Sequence, residues 1–220
     1  MIRRSGLATL EAVEAVLLDM DGTLVDSDAA VERAWRSWAI ERGINPAEAV
    51  AIAAGRPAAA TVRDLLPNAD DKDVAEAAAY QLALQYEDLG DVVAGAGVGE
   101  LLSVLARLDL PWAVVTSADR QLANRRLAAA GVQHPNLLVT SEDVRVGKPD
   151  PEGYRLAAAM LGLDPRHCLV VEDSIAGVQA GKATGAVVVA LKGLAADIQI
   201  ADLHELAELL LGAHGGVGHR

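Results

Sequence analysis

An apolar segment that ends in two acidic residues constrains the fold of this chain more than any other feature. Val16-Leu17-Leu18 runs directly into Asp19-Met20-Asp21, and Gly22 follows. A short apolar run predicts a buried strand, and residues two apart in a strand face the same side, about 6 to 7 Å from each other. Two carboxylates held together in this way repel each other. The pattern favours a divalent cation site at the strand end, and the alternative is a solvated Asp-Gly turn.

Length and composition limit the classes to which the protein can belong. The 220 residues are 52% hydrophobic, enough for one large domain or for a domain with an insert. No apolar run reaches the roughly 18 residues of a membrane helix, and Glu11 and Glu14 interrupt the N-terminal region, so neither a membrane span nor a secretory signal is expected. The net charge of −12 argues against nucleic acid as a partner.

The cysteine content indicates the compartment. A single cysteine, Cys168, excludes an internal disulfide and fits a reducing environment. We therefore expect a cytoplasmic protein. We expect a monomer, with a homodimer as the alternative; the acidic charge is compatible with a soluble monomer and decides little.

Short apolar runs alternate with helical patterns along most of the chain. The runs are Ala15–Met20, Trp112–Thr116, Leu137–Thr140, Cys168–Glu172 and Ala186–Leu191. Helical patterns that end at a glycine lie between the later runs, at Gln121–Ala130, Glu152–Leu161 and Ile175–Thr184. This alternation predicts an α/β fold with a doubly wound, Rossmann-like parallel sheet that helices cover on both faces.

The section after the first strand interrupts this alternation. Residues 28–93 carry helical patterns only, at Ala29–Arg42, Ala47–Ala54, Ala58–Leu66 and Asp71–Leu89. We therefore predict a small α-helical cap over residues 27–94, inserted after the first strand of a catalytic core that comprises residues 1–26 and 95–220. The segments Thr23–Asp28 and Gly90–Gly99 would be the two hinges of this cap.

Polar residues collect where the predicted strands end. In open α/β sheets, ligands bind beyond the carboxyl ends of the strands. Four clusters fall there or in the loops that follow: Asp19 with Asp21, Thr116-Ser117, Lys148 between Gly147 and Pro149, and Glu172-Asp173-Ser174. Each cluster alone could be a helix cap or a solvated loop. Because four such coincidences would have to fall on one edge, a shared functional site is favoured.

These motifs resemble those of the haloacid dehalogenase-like hydrolase superfamily. The matching segments are Asp19-x-Asp21-Gly22-Thr23, Thr116-Ser117, Gly147-Lys148-Pro149-Asp150-Pro151 and Glu172-Asp173-Ser174-x-x-Gly177-x-x-Ala180-Gly181-x-x-x-Gly185. The helical insert is similar to the cap of the branch that holds sugar-phosphate phosphatases, phosphoglycolate phosphatases and β-phosphoglucomutases. The resemblance covers about residues 13–191 and implies the hydrolysis of a small phosphomonoester.

The resemblance also implies a mechanism through an aspartyl-phosphate. Asp19 would be the nucleophile, and Asp21 would protonate the leaving alkoxide and then accept a proton from water. Phosphoryl transfer depends on positioning and on charge stabilisation. The groups that would bind the phosphoryl oxygens are Thr116, Lys148 and the backbone amides near Ser117 and Ala118.

An Mg²⁺ cofactor follows from the same resemblance and fits the oxygen-only set of candidate ligands. Asp19 and Asp173 would each provide a carboxylate oxygen, and Asp21 would provide its backbone carbonyl. Glu172 is adjacent and would bind the ion directly or through water.

The cap would select the leaving group, and two of its residues are candidates for this role. Arg56, in a loop between two predicted helices, would bind substrate hydroxyls or phosphate. Trp35, on the first cap helix, would either shield the site from water or pack in the core of the cap, and the sequence does not decide between the two.

Several alternatives to a sugar or polyol phosphate phosphatase remain. A phosphoglycolate phosphatase and a β-phosphoglucomutase share the resemblance. The mutases carry a histidine on the first cap helix at the position of Val31, and because valine cannot move a proton, this departure favours hydrolysis. A non-catalytic phosphometabolite-binding protein on the same scaffold is the alternative from another class. It is disfavoured because all the motif residues are present.

Overall fold

The computed structural model describes residues 10–53 and 56–214. The strands in chain order are β1 (Ala15–Leu18), β2 (Val25–Asp26), β3 (Val93–Ala94), β4 (Trp112–Val115), β5 (Leu138–Val139), β6 (Cys168–Glu172), β7 (Val187–Ala190) and β8 (Ile198–Gln199). Within the described residues, six of them form a parallel sheet in the order β5-β4-β1-β6-β7-β8. The predicted α/β fold with a doubly wound parallel sheet is confirmed.

Helices connect the strands. Those of the insert are α1 (Asp28–Glu41), α2 (Pro46–Ala53), α3 (Ala58–Leu65) and α4 (Asp71–Leu84). Those associated with the sheet are α5 (Val98–Arg107), α6 (Arg120–Ala129), α7 (Glu152–Met160), α8 (Ile175–Thr184) and α9 (Leu203–His214), and Pro165–His167 forms one turn of 3₁₀-helix. Among the described residues, no helix has both the length and the apolar character that crossing a bilayer requires.

The central strands β1 and β6 are apolar except for Glu172 at the end of β6, as expected for strands that helices cover on both faces. Every residue of β1 and β6 is buried. One hydrophobic cluster combines Leu17 and Val170 from these strands with Val188 of β7 and with Tyr154 and Ala157 of α7. The sheet is thus held in a dry, close-packed interior, which fixes the positions from which its carboxyl ends project.

Residues Ser27–Val92 form a second compact unit with a hydrophobic core of its own. The rings of Trp35 and Trp38 meet edge to face with their centroids 5.4 Å apart, and the indole nitrogen of Trp38 donates to the carbonyl of Ala77 at 2.9 Å. The guanidinium of Arg42 lies over the Trp38 ring, 4.4 Å from its centroid. Stacking, a satisfied indole N–H and a cation–π contact together stabilise this small core.

The structure departs from the sequence predictions in its shortest elements. The segments predicted as hinges contain the short strands β2 and β3, which were not predicted and which pair antiparallel with Val25 opposite Ala94. Helix α4 ends at Leu84 rather than Leu89, because the next residues form tighter turns in which the Gln85 amide donates to the carbonyl of Leu82. Helices α5 and α9 and strand β8 were not predicted. Two-residue strands carry too little periodicity to be read from sequence.

Candidate active site

Neighbouring strands β4, β1 and β6 bring the predicted motifs to one edge of the sheet. Asp19 directly follows β1, Thr116 directly follows β4, and Glu172 ends β6. The strand pairing continues to these positions, since the Asp19 amide donates to the carbonyl of Val171 at 3.0 Å and the Thr116 amide to that of Val139 at 2.9 Å. The chain runs from β1 to β4 and β5 on one side and returns to β6 on the other, so the site lies where the strand order reverses.

Lys148 joins two carboxylates of this edge. Its ammonium group donates to Asp19 Oδ1 and, at 3.0 Å, to the carbonyl of Val115, and it lies 2.7 Å from Glu172 Oε1. The Lys148 side chain is only 10% exposed and that of Glu172 is fully buried. Burial alone would lower the pKa of Lys148, but the charges of Asp19 and Glu172 outweigh it and raise the pKa above its usual value. The lysine therefore carries a positive charge inside the site.

Asp19, Glu172 and Asp173 form an acidic cluster whose carboxylate oxygens lie within 4.8 Å of one another. Burial raises the pKa of Asp19 well above its usual value, and the charges of Glu172 and Asp173 add to this effect against that of Lys148. Burial also raises the pKa of Asp173, against the hydrogen bond from Lys192. Three crowded, poorly hydrated carboxylates are the donor set that a hard divalent cation prefers, so these residues fit the implied Mg²⁺.

Glu172 is held from several sides at once. The hydroxyl of Tyr154 donates to Glu172 Oε1 at 2.6 Å, and the hydroxyl of Ser174 and the amide of Asp173 donate to Oε2 at 3.1 and 3.2 Å. Tyr154 is fully buried, and burial, with the nearby charge of Glu172, raises its pKa well above the usual value. The phenol therefore stays protonated and acts as a permanent donor that orients the glutamate.

Two glycines of the motifs allow close approach to these acids. A Cβ at Gly177 would lie 1.8 Å from the carboxyl carbon of Glu172, and a Cβ at Gly22 would lie 2.0 Å from Asp173 Oδ2. Gly22 also has a φ of +79°, a region that side chains disfavour. At these two positions the site has no room for a methyl group.

The clash at Gly177 gives a stability prediction. Gly177→Ala is expected to destabilise the protein by about 1–3 kcal/mol, because the methyl group displaces a carboxylate fixed by several donors. The matched control is Gly99→Ala, in the first turn of α5, where nothing lies within 4 Å of the added Cβ; it should be neutral or stabilising by about 0.5–1 kcal/mol. Urea denaturation of both variants checks this, and equal stabilities would contradict the close contact.

Asp21 is the second aspartate of the first motif, and its side chain contacts helix α6. Arg126 Nη1 donates to Asp21 Oδ1 at 2.8 Å, and the two side chains are 3% and 27% exposed. The backbone around Asp21 is held by a tight loop, in which the Gly22 amide donates to the carbonyl of Val25 at 2.7 Å. A partly exposed acid is thus paired with a buried arginine.

The segment after β4 combines a buried hydroxyl with an exposed serine. Thr116 is 6% exposed, and its Oγ1 accepts a hydrogen bond from the Ala118 amide at 3.0 Å. Ser117 between them is exposed. Because a hydroxyl has one donor and two acceptor positions, Thr116 keeps its proton for another acceptor.

The two predicted cap residues lie in different surroundings. Arg56 is on the surface of the insert and forms an ion pair with Asp64 at 2.8 Å. Trp35 is 3% exposed and belongs to the hydrophobic core of the insert. Of its two predicted roles, this burial matches packing in the core rather than shielding of the site. Their contact with substrate stays a prediction.

Three polar residues of this edge were missed by sequence reasoning. Lys192 lies 2.9 Å from Asp173 Oδ2, and because it directly follows the apolar run Ala186–Leu191, the rule of polar strand ends could have found it. Tyr154 and Arg126 lie on the buried faces of helices. At such positions the sequence pattern predicts burial but not the polar partner of the side chain. Their contacts depend on tertiary structure.

The family profile described as haloacid dehalogenase-like hydrolase matches residues 13–185. The chain belongs to this family. Hexitol phosphatase A of Escherichia coli (strain K12) is 41% identical over 175 residues, which are 80% of this chain and 81% of that protein. Validoxylamine A 7'-phosphate phosphatase of Streptomyces hygroscopicus subsp. limoneus is 34% identical over 206 residues, 88% of this chain and 95% of that protein. The predicted enzyme class, a phosphoric monoester hydrolase, is confirmed.

Two solved structures share the fold of this chain. A β-phosphoglucomutase from Clostridium difficile superposes with a TM-score of 0.79 at 18% identity, over 93% of this chain and 98% of that one. A hydrolase from Pseudomonas syringae gives a TM-score of 0.78 at 24% identity, over 89% of this chain and 96% of that one. At these identities the likeness concerns the fold and not the substrate.

Proposed function

We propose that this chain is an Mg²⁺-dependent phosphatase of sugar or polyol phosphates that works through an aspartyl-phosphate on Asp19. The observation that carries the proposal is the buried Asp19 carboxylate, which contacts the Lys148 ammonium group and lies in one acidic cluster with Glu172 and Asp173. An anionic nucleophile, a fixed cation and a hard-metal donor set are the three parts that phosphoryl transfer to a carboxylate needs.

The metal ligands that we propose are the carboxylates of Asp19 and Asp173 and the backbone carbonyl of Asp21. Glu172 supports the metal ligands rather than binding the metal directly, because its oxygens already accept hydrogen bonds from Tyr154 and Ser174 and contact Lys148. We propose that it acts through water or by holding the other groups. When bound, Mg²⁺ supplies positive charge that offsets the negative charge on the transferring phosphoryl oxygens.

In the first half-reaction, an Asp19 oxygen forms a bond to phosphorus while the ester P–O bond breaks. The Asp21 carboxyl gives its proton to the leaving alkoxide oxygen. Lys148, the Thr116 hydroxyl and the Ser117 amide stabilise the charge on the equatorial oxygens, and the Ala118 amide, which donates to Thr116 Oγ1, holds that hydroxyl in place. These donors are fixed before the substrate arrives, so little reorganisation is needed during the reaction.

In the second half-reaction, water attacks phosphorus, Asp21 takes the water proton, and the bond between Asp19 and phosphorus breaks. The products are the alcohol and inorganic phosphate, and the enzyme returns to its starting state, with Asp19 as a carboxylate and Asp21 protonated. Asp21 thus acts first as a general acid and then as a general base, as a two-step displacement requires.

The relatives support the substrate class. Hexitol phosphatase A is 41% identical to this chain, and 2-deoxyglucose-6-phosphate phosphatase 1 of Saccharomyces cerevisiae is 32% identical over 197 residues. Both names describe phosphate esters of sugars or sugar alcohols. We therefore propose that a hexose or hexitol phosphate is the substrate.

A substrate panel tests this proposal. Purified protein with Mg²⁺ is assayed for phosphate release from hexose phosphates, hexitol phosphates, glycerol phosphate, phosphoglycolate and nucleoside monophosphates. The highest kcat/KM is expected for a sugar or sugar alcohol phosphate, and activity should disappear with a chelator and return with Mg²⁺. Conversion of β-glucose 1-phosphate to the 6-phosphate in the presence of the bisphosphate would instead support a mutase, and preference for phosphoglycolate would support the second alternative.

Arg56 offers a separate prediction about selectivity. Arg56→Ala is expected to raise KM for the preferred sugar phosphate by about 10-fold, as the loss of a charged hydrogen bond would, with little change for p-nitrophenyl phosphate. Arg63→Ala is the matched control, because Arg63 is also an exposed arginine of the insert in an ion pair. An unchanged ranking of substrates in the Arg56 variant would dismiss the role.

A further inference from the structure

The buried arginine on helix α6 is the feature that the proposed chemistry leaves unexplained. Leu122, Ala123, Arg126 and Leu127 form the buried face of this helix, so Arg126 occupies a position where an apolar residue would serve packing. Its side chain is 3% exposed. Because burying a guanidinium is costly unless it is paired, its presence requires a partner, and Asp21 is one.

The geometry assigns a positioning task to this pair. Arg126 Nη1 contacts Asp21 Oδ1 at 2.8 Å, across 105 positions of sequence. The loop after β1 fixes the backbone of Asp21, since the amides of Leu24 and Val25 both donate to the carbonyl of Met20 at 2.9 Å. These hydrogen bonds join backbone atoms and do not involve the Asp21 side chain. A guanidinium held in a packed helix face selects one rotamer, because its donors have a fixed planar arrangement.

We propose that Arg126 is a positioning residue that orients the Asp21 carboxyl group for proton transfer to the leaving oxygen. The inference rests on the proposed function, because it assumes that Asp21 is the general acid. It goes beyond that function by naming the group that fixes the acid, and it ties helix α6 to the chemistry at the end of β1. Arg126 has no contact with substrate in this account and acts through Asp21 alone.

The leaving group distinguishes this task from a structural one. An alkoxide leaves poorly without a proton, whereas p-nitrophenolate leaves readily as the anion. Since kcat/KM covers the steps up to the first phosphoryl transfer, a displaced general acid lowers it for an alkyl phosphate and spares it for p-nitrophenyl phosphate. A general loss of folding or of phosphate binding lowers both equally.

The test compares kcat/KM for glucitol 6-phosphate and p-nitrophenyl phosphate in the wild type, Arg126→Met and Arg126→Lys. Methionine keeps the length and the apolar stem of the side chain but not its donors. For Arg126→Met we expect a loss of at least about 10-fold with glucitol 6-phosphate, part of the roughly 10²–10⁴-fold that general acid catalysis supplies, and less than about 2-fold with p-nitrophenyl phosphate. Lysine should restore part of the loss because it keeps the charge.

The control is Arg125→Met, which removes the neighbouring exposed arginine of the same helix and should leave both values unchanged. Equal losses with both esters in Arg126→Met and Arg126→Lys, or no loss with either, would overturn the inference while leaving the proposed function intact. If the wild type hydrolysed neither ester in the presence of Mg²⁺, the proposed function would fail and this inference with it.

Discussion

Asp19→Asn is expected to lower kcat by at least about 10⁴-fold with every phosphomonoester, because an amide cannot replace the carboxylate that we propose as the nucleophile at phosphorus. The side chain keeps its size, and the substitution removes a buried charge that Glu172 and Asp173 repel. The fold should therefore survive. Steady-state kinetics measure the loss, and circular dichroism confirms the fold.

Two companion variants make this result specific. Asp21→Asn should be nearly as inactive on alkyl phosphates, for which a proton donor is required. Asp109→Asn is the control, because Asp109 lies on an exposed turn at a φ of 54°, where asparagine is well tolerated. Retention of wild-type activity by purified Asp19→Asn protein would refute the assignment of the nucleophile.

Lys148→Met is expected to lower both activity and stability. If Lys148 stabilises the transferring phosphoryl group as proposed, its loss should reduce kcat by about 10²–10³-fold. The same change leaves the buried carboxylates of Asp19 and Glu172 without the ammonium group between them, and removing one partner of a buried ion pair costs about 3–5 kcal/mol. Urea denaturation with a chelator present measures the second effect.

The stability loss of Lys148→Met should grow with pH. Burial already raises the pKa of Asp19 above its usual value, and Lys148 opposes that rise; without the lysine the folded-state pKa rises further. A carboxyl group with a higher pKa in the folded state binds more protons when folded, so stability falls as pH rises from about 4 through the folded-state pKa.

The variant should therefore lose more stability, relative to wild type, at pH 8 than at pH 5. Lys182→Met, which removes an exposed lysine of α8 that donates to a backbone carbonyl, should show no such trend. A loss that is independent of pH would contradict the electrostatic origin.

The sequence predicted the strands and the motif residues because both leave local signals. β6 was predicted with its observed bounds, Cys168–Glu172, since a fully buried parallel strand is an uninterrupted apolar run. Asp19, Thr116 and Glu172 could be assigned to one edge because parallel strands end together. The sequence could not show that Glu172 is held by Tyr154, or that Arg126 reaches Asp21, since these pairs form only after helices pack on the sheet.

The connections of the insert were also not predicted, because they too depend on contacts between residues far apart in sequence. Its helices leave a periodic pattern, but the antiparallel pairing of Val25–Asp26 with Val93–Ala94 joins residues far apart in sequence. Such short strands have no pattern of their own. Gly90–Gly99 was predicted as the return hinge from its glycines and Thr23–Asp28 as the outgoing hinge, and the antiparallel pairing between these two segments was missed.

Because Asp26 pairs with Val93, the residues that flank the two ends of the insert are adjacent in space. Antiparallel neighbours of this kind can be bridged by a two-residue turn. The insert between Asp26 and Val93 can therefore become longer or shorter, or be replaced, during evolution. Such changes need not alter the register of the sheet or the spacing of the carboxylates at its edge.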